Sequence, residues 1–161
     1  MAKALDTPSL YEVDYVAWLE EQASHLRAGR LSALDVPNVA EELEGLARSD
    51  RHELANRLET LILHLLKWEH QPSRRSRSWQ STIVEQRIRI RRLVDESPSL
   101  RPGLAEVAAR VYPDAVDRAI IETGLAPRRF PEALPYTLGQ LFERELPAGD
   151  LPKQPSRKKH P

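Results

Sequence analysis

A run of apolar residues at helical spacing, between residues 36 and 68, is the sequence feature that most constrains the fold. Its members are Val36, Val39, Leu43, Leu46, Leu54, Leu58, Leu61, Leu65 and Trp68. This period places them along one face of an α-helix and defines an apolar seam. Asp50 interrupts the seam and Gly45 weakens it. Residues 36–71 are therefore predicted to form either one long helix with a weak centre or two helices that meet near residues 47–50.

Helical patterns also precede and follow the seam. Asp14 is a suitable N-cap for a first helix that ends at Gly29, and Asp35 is a suitable start for the seam helix. After Pro72, a further helix is expected to begin near Ser78 and to continue through "RIRIRR". That alternation would also fit a strand, but it lies inside a longer helical period, so helix is favoured.

The last part of the chain predicts two more helices. Ser99 is placed to cap a helix that Gly124 ends, and Pro113 is expected to kink or split that helix. Thr137 and Gln140 form a capping box, which predicts a short last helix that ends near position 144.

Composition agrees with helices rather than with a β-sandwich. Aromatic residues make up 6% of the 161 residues and charged residues 30%, which favours aliphatic seams with solvated outer faces. We therefore predict a single all-α, bundle-like domain of five to seven helices around a long central helix, over residues 1–151. The basic, proline-rich tail of residues 152–161 has no apolar anchor and is predicted to be disordered.

Charge and cysteine counts exclude several classes of function. The chain has 24 basic and 24 acidic side chains, so any attraction to nucleic acid or to an anionic membrane has to be local. It has no cysteine, which excludes disulfides, thiolate catalysis and cysteine-ligated metals. The N-terminus lacks the apolar core of a signal peptide, and the longest apolar segment is broken by charge. We predict a cytoplasmic protein that does not bind membranes.

Established catalytic and metal-binding motifs are missing from the sequence. The five histidines do not have the spacing of a metal-binding helix, and there is no nucleophile elbow, Walker loop or dinucleotide-binding glycine loop. The sequence therefore predicts no metal and no cofactor, and it favours a non-enzymatic role. An enzyme of unknown class, with an unfamiliar site near Lys67, Arg77 and Arg87, is the third alternative.

The stretch "QPSRRSRSWQ" at residues 71–80 opens the most basic segment of the chain. Seven arginines lie between positions 71 and 92 against Glu85 alone, a local charge of +6. They are Arg74, Arg75, Arg77, Arg87, Arg89, Arg91 and Arg92. Those within the helix surround it and do not form the single basic face that a nucleic-acid track needs. We expect Arg87 to pair with a carboxylate from residues 41–59.

The start of the helix in this segment is the candidate binding site. Its free N–H groups carry a partial positive charge beside several arginines, which favours an anion. Ser78 is expected to cap it, with Ser76 as the alternative. The predicted anion- or ligand-binding residues are Arg74, Arg75, Arg77, Ser78, Trp79 and Arg87. The equally weighted alternative is an acidic side chain of the same protein in that place, which would make the stretch a structural latch.

Several short motifs occur in an order that resembles a known family. They are "LYEVDYVAWLEEQ", "LDVPNVAEELEGLARSDRHEL", "HLLKWEHQPSRRSRSWQSTIVEQR", "SPSL", "AIIETGL" and "FPEALPYTLGQL". Together they resemble the bacterial family of domains of unknown function numbered twenty-nine. The resemblance implies a small, all-helical, cytoplasmic protein without an assigned activity, and it places any site between Lys67 and Arg87.

Taken together, the sequence predicts a helical interaction or adaptor module that uses the Arg/Trp segment of residues 67–92. Its expected partner is an unidentified protein or a second copy of the chain, bound through an apolar seam. The alternative is a module that binds nucleic acid or a phosphate ligand through the arginine cluster.

Overall fold

The computed structural model describes residues 9–143, 145 and 146. Six α-helices follow in chain order: α1 (Leu10–Val13), α2 (Tyr15–Arg27), α3 (Val36–His70), α4 (Arg77–Glu96), α5 (Leu104–Thr123) and α6 (Leu138–Glu143). Helix accounts for 82% of the described residues and none of them lies in a strand, which confirms the all-α prediction. The tail predicted to be disordered, residues 152–161, and position 144 lie outside the described residues.

Helix α3 is the long central helix that the apolar seam predicts. It is continuous over 35 residues, which corresponds to about 52 Å at 1.5 Å per residue. Gly45 and Asp50 both lie inside it, so the alternative of a single helix is correct and the alternative of two helices is wrong. Within the described part of the chain, no helix is both long enough and apolar enough to cross a membrane.

Contacts divide the chain into two compact units, with the boundary between Ser49 and Asp50. The first unit contains α1, α2, a 3-10 turn (Leu31–Ala33) and the first part of α3. The second unit contains the rest of α3 together with α4, α5 and α6. The organisation of residues 1–151 as one domain stays a prediction.

Polar contacts hold the first unit together. Asp14 caps α2 as predicted, because its side chain accepts a hydrogen bond from Ala17 N at 3.0 Å, although α1 precedes it. Trp18 Nε1 donates to Asp35 Oδ2 at 3.2 Å, and Gln22 Oε1 accepts from Asp35 N at 2.8 Å. Trp18 and Gln22 are the only buried residues among those described in this unit.

The two parts of the apolar seam differ in burial. In the second unit, Leu58, Leu61 and Leu65 are at most 1% exposed, as predicted. In the first unit, the earlier seam residues Val36 and Leu43 are 59% and 62% exposed. The helical period therefore identified one face of α3, but only the second half of that face is packed.

The second unit has one hydrophobic core, to which α3, α4, α5 and α6 all contribute. Side chains without any exposed surface include Leu58, Leu61, Ile83, Ala115 and Leu141. Shorter helices that pack around a longer one bury their apolar faces in one common core. It positions the ends of α3, α5 and α6 beside the start and middle of α4.

Helix α4 begins slightly earlier than the sequence suggested. Ser76 is its N-cap, with Oγ accepting a hydrogen bond from Trp79 N at 3.2 Å. The prediction of Ser78 as the cap is wrong and the alternative, Ser76, is correct. The stretch "RIRIRR" lies inside α4, so the choice of helix over strand is confirmed.

Helix α5 departs from its prediction at two positions. Its N-cap is Gly103, because Ser99 lies in a 3-10 segment that leads into the helix. Pro113 lies inside α5 without splitting it. A proline deprives the carbonyl four residues earlier of its helical partner. That carbonyl belongs to Ala109, which is exposed, so water can satisfy it.

The ends of the last two helices follow their sequence signals. Gly124 terminates α5 in the left-handed conformation, with φ of 70°. Thr137 N donates to Gln140 Oε1 at 2.9 Å, and Gln140 N donates to Thr137 Oγ1 at 3.2 Å. This reciprocal pair is the predicted capping box of α6.

Candidate functional site

The C-terminal end of α3 brings a buried lysine against α5 and α4. Lys67 is 7% exposed. Its Nζ lies 2.5 Å from Glu122 Oε2 and 4.5 Å from the centre of the Trp79 ring. An ammonium group that leaves water must be compensated by charge or hydrogen bonds. The carboxylate and the negative face of the aromatic ring provide that compensation.

The Lys67–Glu122 ion pair is part of a longer row of charged side chains between α3 and α5. Arg118 Nη2 lies 3.7 Å from Glu122 Oε1, and Arg118 Nη1 lies 2.8 Å from Glu59 Oε1. Lys67, Glu122, Arg118 and Glu59 thus alternate in sign, and each bonds to its neighbour. This arrangement joins the two helices and has the character of a structural ion-pair network.

His64 lies one turn before Lys67 on α3. Burial lowers the pKa of His64, and the hydrogen bond to the Thr60 carbonyl opposes that effect. Nδ1 lies 2.9 Å from Thr60 O, so a neutral ring donates through Nδ1 and leaves Nε2 as an acceptor. No group of three or more histidine, aspartate or glutamate side chains within the described residues is placed to hold a metal ion.

Arg75 caps the C-terminal end of α3. Its Nε donates to Trp68 O at 2.7 Å, and its guanidinium lies 5.1 Å from the centre of the Trp68 ring. The last carbonyls of a helix lack helical partners and carry a partial negative charge, which a guanidinium satisfies. Gln71 adds a hydrogen bond from Nε2 to Thr123 O at 3.2 Å. The residues that follow α3 therefore form hydrogen bonds to the C-terminal ends of both α3 and α5.

Arg87 has a similar role at the end of α6. It is 9% exposed, and its Nε donates to Leu141 O at 2.7 Å and its Nη2 to Gln140 O at 3.4 Å. The predicted pairing with a carboxylate from residues 41–59 is not among its described contacts. Main-chain carbonyls at a helix end attract a guanidinium in the same way as a carboxylate does, and the sequence alone does not show which helix end will be near.

Three of the six residues predicted to bind an anion are exposed near the start of α4. Arg74, Arg77 and Ser78 are exposed there. Arg87 contacts α6 instead, and Arg75 contacts the end of α3. Binding of an anion by the three exposed residues stays a prediction.

Two tyrosines and a glutamate form a cluster that sequence reasoning missed. Tyr11 OH donates to Glu42 Oε1 at 2.5 Å, and Tyr15 OH donates to Glu42 Oε2 at 2.7 Å. The hydrogen bond to Glu42 raises the pKa of Tyr11 to about 12. The same bonds lower the pKa of Glu42. Two tyrosines four residues apart are the only sequence signal for this cluster, and they do not reveal which acid they meet.

Comparison with known proteins identifies a family to which no activity is assigned. The family model described as "Domain of unknown function DUF29" matches residues 10–146. No curated protein and no solved structure matches the chain. The matched region covers most of the chain, including all six helices described above. The chain therefore belongs to the family Domain of unknown function DUF29.

Proposed function

We propose that this chain is a helical interaction module that binds a protein through the apolar side of its first unit. The observation that carries the proposal is an imbalance between buried and exposed apolar side chains. The described part of the unit buries Trp18 and Gln22, whereas ten large apolar side chains are 39% to 68% exposed. These ten are Leu10, Val13, Tyr15, Val16, Leu19, Leu26, Leu31, Val36, Leu43 and Leu46.

Five of these residues form two stripes, one on each long helix of the unit. On α3, Val36, Leu43 and Leu46 fall within about 80° of one another at 100° per residue. On α2, Leu19 and Leu26 fall within about 20° of each other by the same measure. We call these five residues the α2–α3 surface.

Both stripes lie on the same side of the helix pair. The helices are antiparallel, because Tyr15 of α2 bonds Glu42 of α3 while Trp18, farther along α2, bonds the earlier Asp35. Leu19 is displaced by about 40° from Tyr15, and Leu46 by about 40° from Glu42, in the same rotational sense along their own helices. On antiparallel neighbours, displacement in the same sense leads to the same side, so the two stripes face the same way.

The apolar area of the α2–α3 surface can be compared with that of a protein interface. The five side chains of the α2–α3 surface, each about half exposed, present on the order of 250 Å² of apolar area, taking about 25 cal/mol per Å² and 1.5–3 kcal/mol per side chain. A stable interface buries about 800 Å² per partner, of which roughly 60% is apolar. The five side chains would thus supply about half of the apolar area of such an interface, and an exposed patch of a few hundred Å² on a monomer is often functional.

The contacts of the Arg/Trp segment, residues 67–92, argue against the partner-binding role that its sequence suggested. Lys67, Arg75 and Arg87 are engaged with α5, the end of α3 and the end of α6. Side chains committed to internal contacts contribute little to docking. The α2–α3 surface is therefore the better candidate for partner binding.

The proposal is tested by comparing baits that differ only on this surface. Tagged wild-type chain, Leu43→Gln/Leu46→Gln and Ile121→Gln are used to capture proteins from the cells that naturally express the chain. Ile121, on α5, is 81% exposed and serves as the matched control. We expect wild type and the control to retain the same partners and the double variant to lose them. Equal capture by all three baits would exclude a binding role for the surface.

Anion binding is a second candidate function. It is favoured by the exposure of Arg74, Arg77 and Ser78 at the N-terminal end of a 20-residue helix, where N–H groups and arginines attract negative charge. Sulfate or phosphate is then expected to raise the melting temperature of wild type but not of Arg74→Ala/Arg77→Ala. An equal response of the two proteins would show a general salt effect instead of a site.

A further inference from the structure

The outer side of α4 carries a row of residues at heptad spacing. At 100° per residue, Ile88 lies about 140° from Ile83 and about 160° from Ile90, which both belong to the hydrophobic core. Six exposed residues on the side of Ile88 follow one another at alternating intervals of four and three: Arg77, Ser81, Val84, Ile88, Arg91 and Asp95. This spacing is typical of a helix that packs along another helix. We call these six residues the α4 row.

The middle of the α4 row is apolar and borders an open depression. Val84 and Ile88 are 46% and 47% exposed, and the depression against them has a volume of about 440 Å³. The described residues that line it are Ser81, Val84, Glu85, Ile88, Arg89 and Arg92. They form two consecutive sets at positions i, i+3, i+4 and i+7, and four residues in this arrangement receive one side chain of a facing helix in knobs-into-holes packing. The middle of the row therefore has room for two side chains of another helix.

The α4 row is complementary to itself when two copies lie antiparallel. Its spacing reads the same in both directions, so a second copy centred on position 86 matches it residue by residue. Val84 then lies opposite Ile88 of the second copy, and Arg77 lies opposite Asp95 of the second copy. A parallel arrangement would instead set Arg77 against Arg77 and Asp95 against Asp95, and this repulsion between like charges disfavours it.

The charged residues of the row are available for contacts with a second copy. Arg77 and Arg91 form no ion pair with any other described residue. Asp95 Oδ1 lies 3.2 Å from Arg101 Nη2, but the two side chains are 62% and 64% exposed. An exposed pair of this kind contributes little, and Asp95 Oδ2 can accept a further hydrogen bond. The guanidinium of Arg91 can donate to the hydroxyl of Ser81 in the second copy, which lies opposite it.

We propose that two copies of this chain associate through their α4 rows, with the two helices antiparallel about a twofold axis at position 86. Both sides of the contact belong to α4, so one face of one helix is sufficient to close the dimer. The α2–α3 surface takes no part, and the inference goes beyond the proposed function. A contact of one helix with one helix belongs to the small interfaces, below about 1,200 Å², and Arg91 and Arg92 give it a net positive charge. The dimer is therefore expected to be weak and to depend on concentration.

Introduced cysteines test the register of the contact. The chain has no cysteine, so disulfides can form only at the chosen positions. Val84→Cys and Ile88→Cys are oxidised separately and as an equimolar mixture, and the products are separated by non-reducing electrophoresis. Because position 84 of one copy faces position 88 of the other, we expect several-fold more cross-linked dimer in the mixture than in either variant alone. Two copies of the same position are offset by about 6 Å along the axis, and a disulfide does not span that offset together with the distance between the helices.

Ile121→Cys is the control for cross-linking by random collision. Ile121 is 81% exposed and lies on α5, so this variant is expected to give only the background level of dimer. A mixture of Val84→Cys and Ile88→Cys that gives no more dimer than the single variants would overturn the proposal.

An exchange of charge tests the ends of the α4 row. Arg77→Asp places an acid opposite Asp95 of the second copy, and we expect dimer affinity to fall about tenfold. Arg77→Asp/Asp95→Arg exchanges the two charges and is expected to restore the affinity of wild type. An acid at the start of α4 and a cation at its end both suit the helix dipole, so these variants are expected to fold. Arg128→Asp is the matched control, because Arg128 is exposed and lies outside α4.

Sedimentation velocity over a range of protein concentrations measures these affinities. Wild type, Arg128→Asp and Arg77→Asp/Asp95→Arg are expected to dimerise alike, and Leu43→Gln/Leu46→Gln is expected to behave as they do, because the α2–α3 surface is not part of the contact. Wild type that stays monomeric at the highest soluble concentration would overturn the proposal. A dimer that Arg77→Asp leaves unchanged, or that Leu43→Gln/Leu46→Gln abolishes, would also overturn it, since another surface would then join the copies.

Discussion

Lys67 on α3 and Glu122 on α5 form an ion pair in which only one partner is buried. Nζ and Oε2 are 2.5 Å apart, and the side chain of Lys67 is 8% exposed while that of Glu122 is 36% exposed. The lysine depends on the carboxylate for compensation of its charge, whereas the carboxylate keeps access to water. This difference predicts unequal consequences of removing the two partners.

Glu122→Gln is expected to destabilise the protein more than Lys67→Met does. The first change leaves a buried ammonium without its carboxylate and is expected to cost about 1–3 kcal/mol. The second change removes the buried charge and keeps most of the aliphatic stem. Chemical denaturation of both variants measures the difference. Arg118→Gln is the control, because it removes the other partner of Glu122 without touching Lys67. Equal free energies of unfolding for Glu122→Gln and wild type would contradict the prediction.

The two parts of α3 are expected to respond differently to truncation of a leucine. Leu61→Ala leaves a cavity in the core of the second unit and is expected to cost about 2–5 kcal/mol. Leu46 is 66% exposed, so Leu46→Ala is expected to change stability by less than about 0.5 kcal/mol. Urea denaturation at concentrations where the chain is monomeric provides both values. A large loss for Leu46→Ala would mean that its side chain is packed in solution.

The seam on α3 also shows how far the sequence determines the fold. Helical period and capping signals were sufficient for the all-α class, the apolar seam of α3 and the capping box at Thr137, but not for the continuity of α3 through Gly45 and Asp50. They could not distinguish Leu46 from Leu61, because the period is the same whether or not another helix packs on that face. Arg87 illustrates the same limit: it bonds to the carbonyl of Leu141, and the sequence pattern does not show which distant main-chain carbonyl a side chain will reach.

The cluster of Tyr11, Tyr15 and Glu42 predicts a dependence on pH. The pKa of Tyr11 is raised to about 12 from its ordinary value of 10.0, chiefly by the hydrogen bond to Glu42. The folded state therefore holds this proton more strongly than the unfolded state. The stability that it contributes is complete below pH 10 and is lost as the pH rises through about 12. The pKa of Glu42 is lowered, so its contribution is lost as the pH falls below 4.5.

Replacing the acceptor tests this assignment. In Glu42→Gln, NMR titration of the tyrosine ring carbons is expected to bring the pKa of Tyr11 down toward 10.0. Tyr112 is the internal control, because burial is the first cause that raises its pKa, and it lies in the second unit. An unchanged titration of Tyr11 would show that Glu42 is not its partner in solution.

Arg87 is expected to be required for the attachment of α6. A helix of six residues is too short to persist by its own hydrogen bonds, so its position depends on packing of Leu141 and on the two carbonyls that Arg87 binds. Lysine keeps the charge but cannot present two donors from one planar group. We therefore expect Arg87→Lys to accelerate hydrogen exchange in α6 and to cost about 1–3 kcal/mol. Arg91→Lys, on the exposed side of the same helix, is the control and is expected to leave both quantities unchanged. Protection of α6 equal to that of wild type in Arg87→Lys would show that apolar packing holds the helix without the guanidinium.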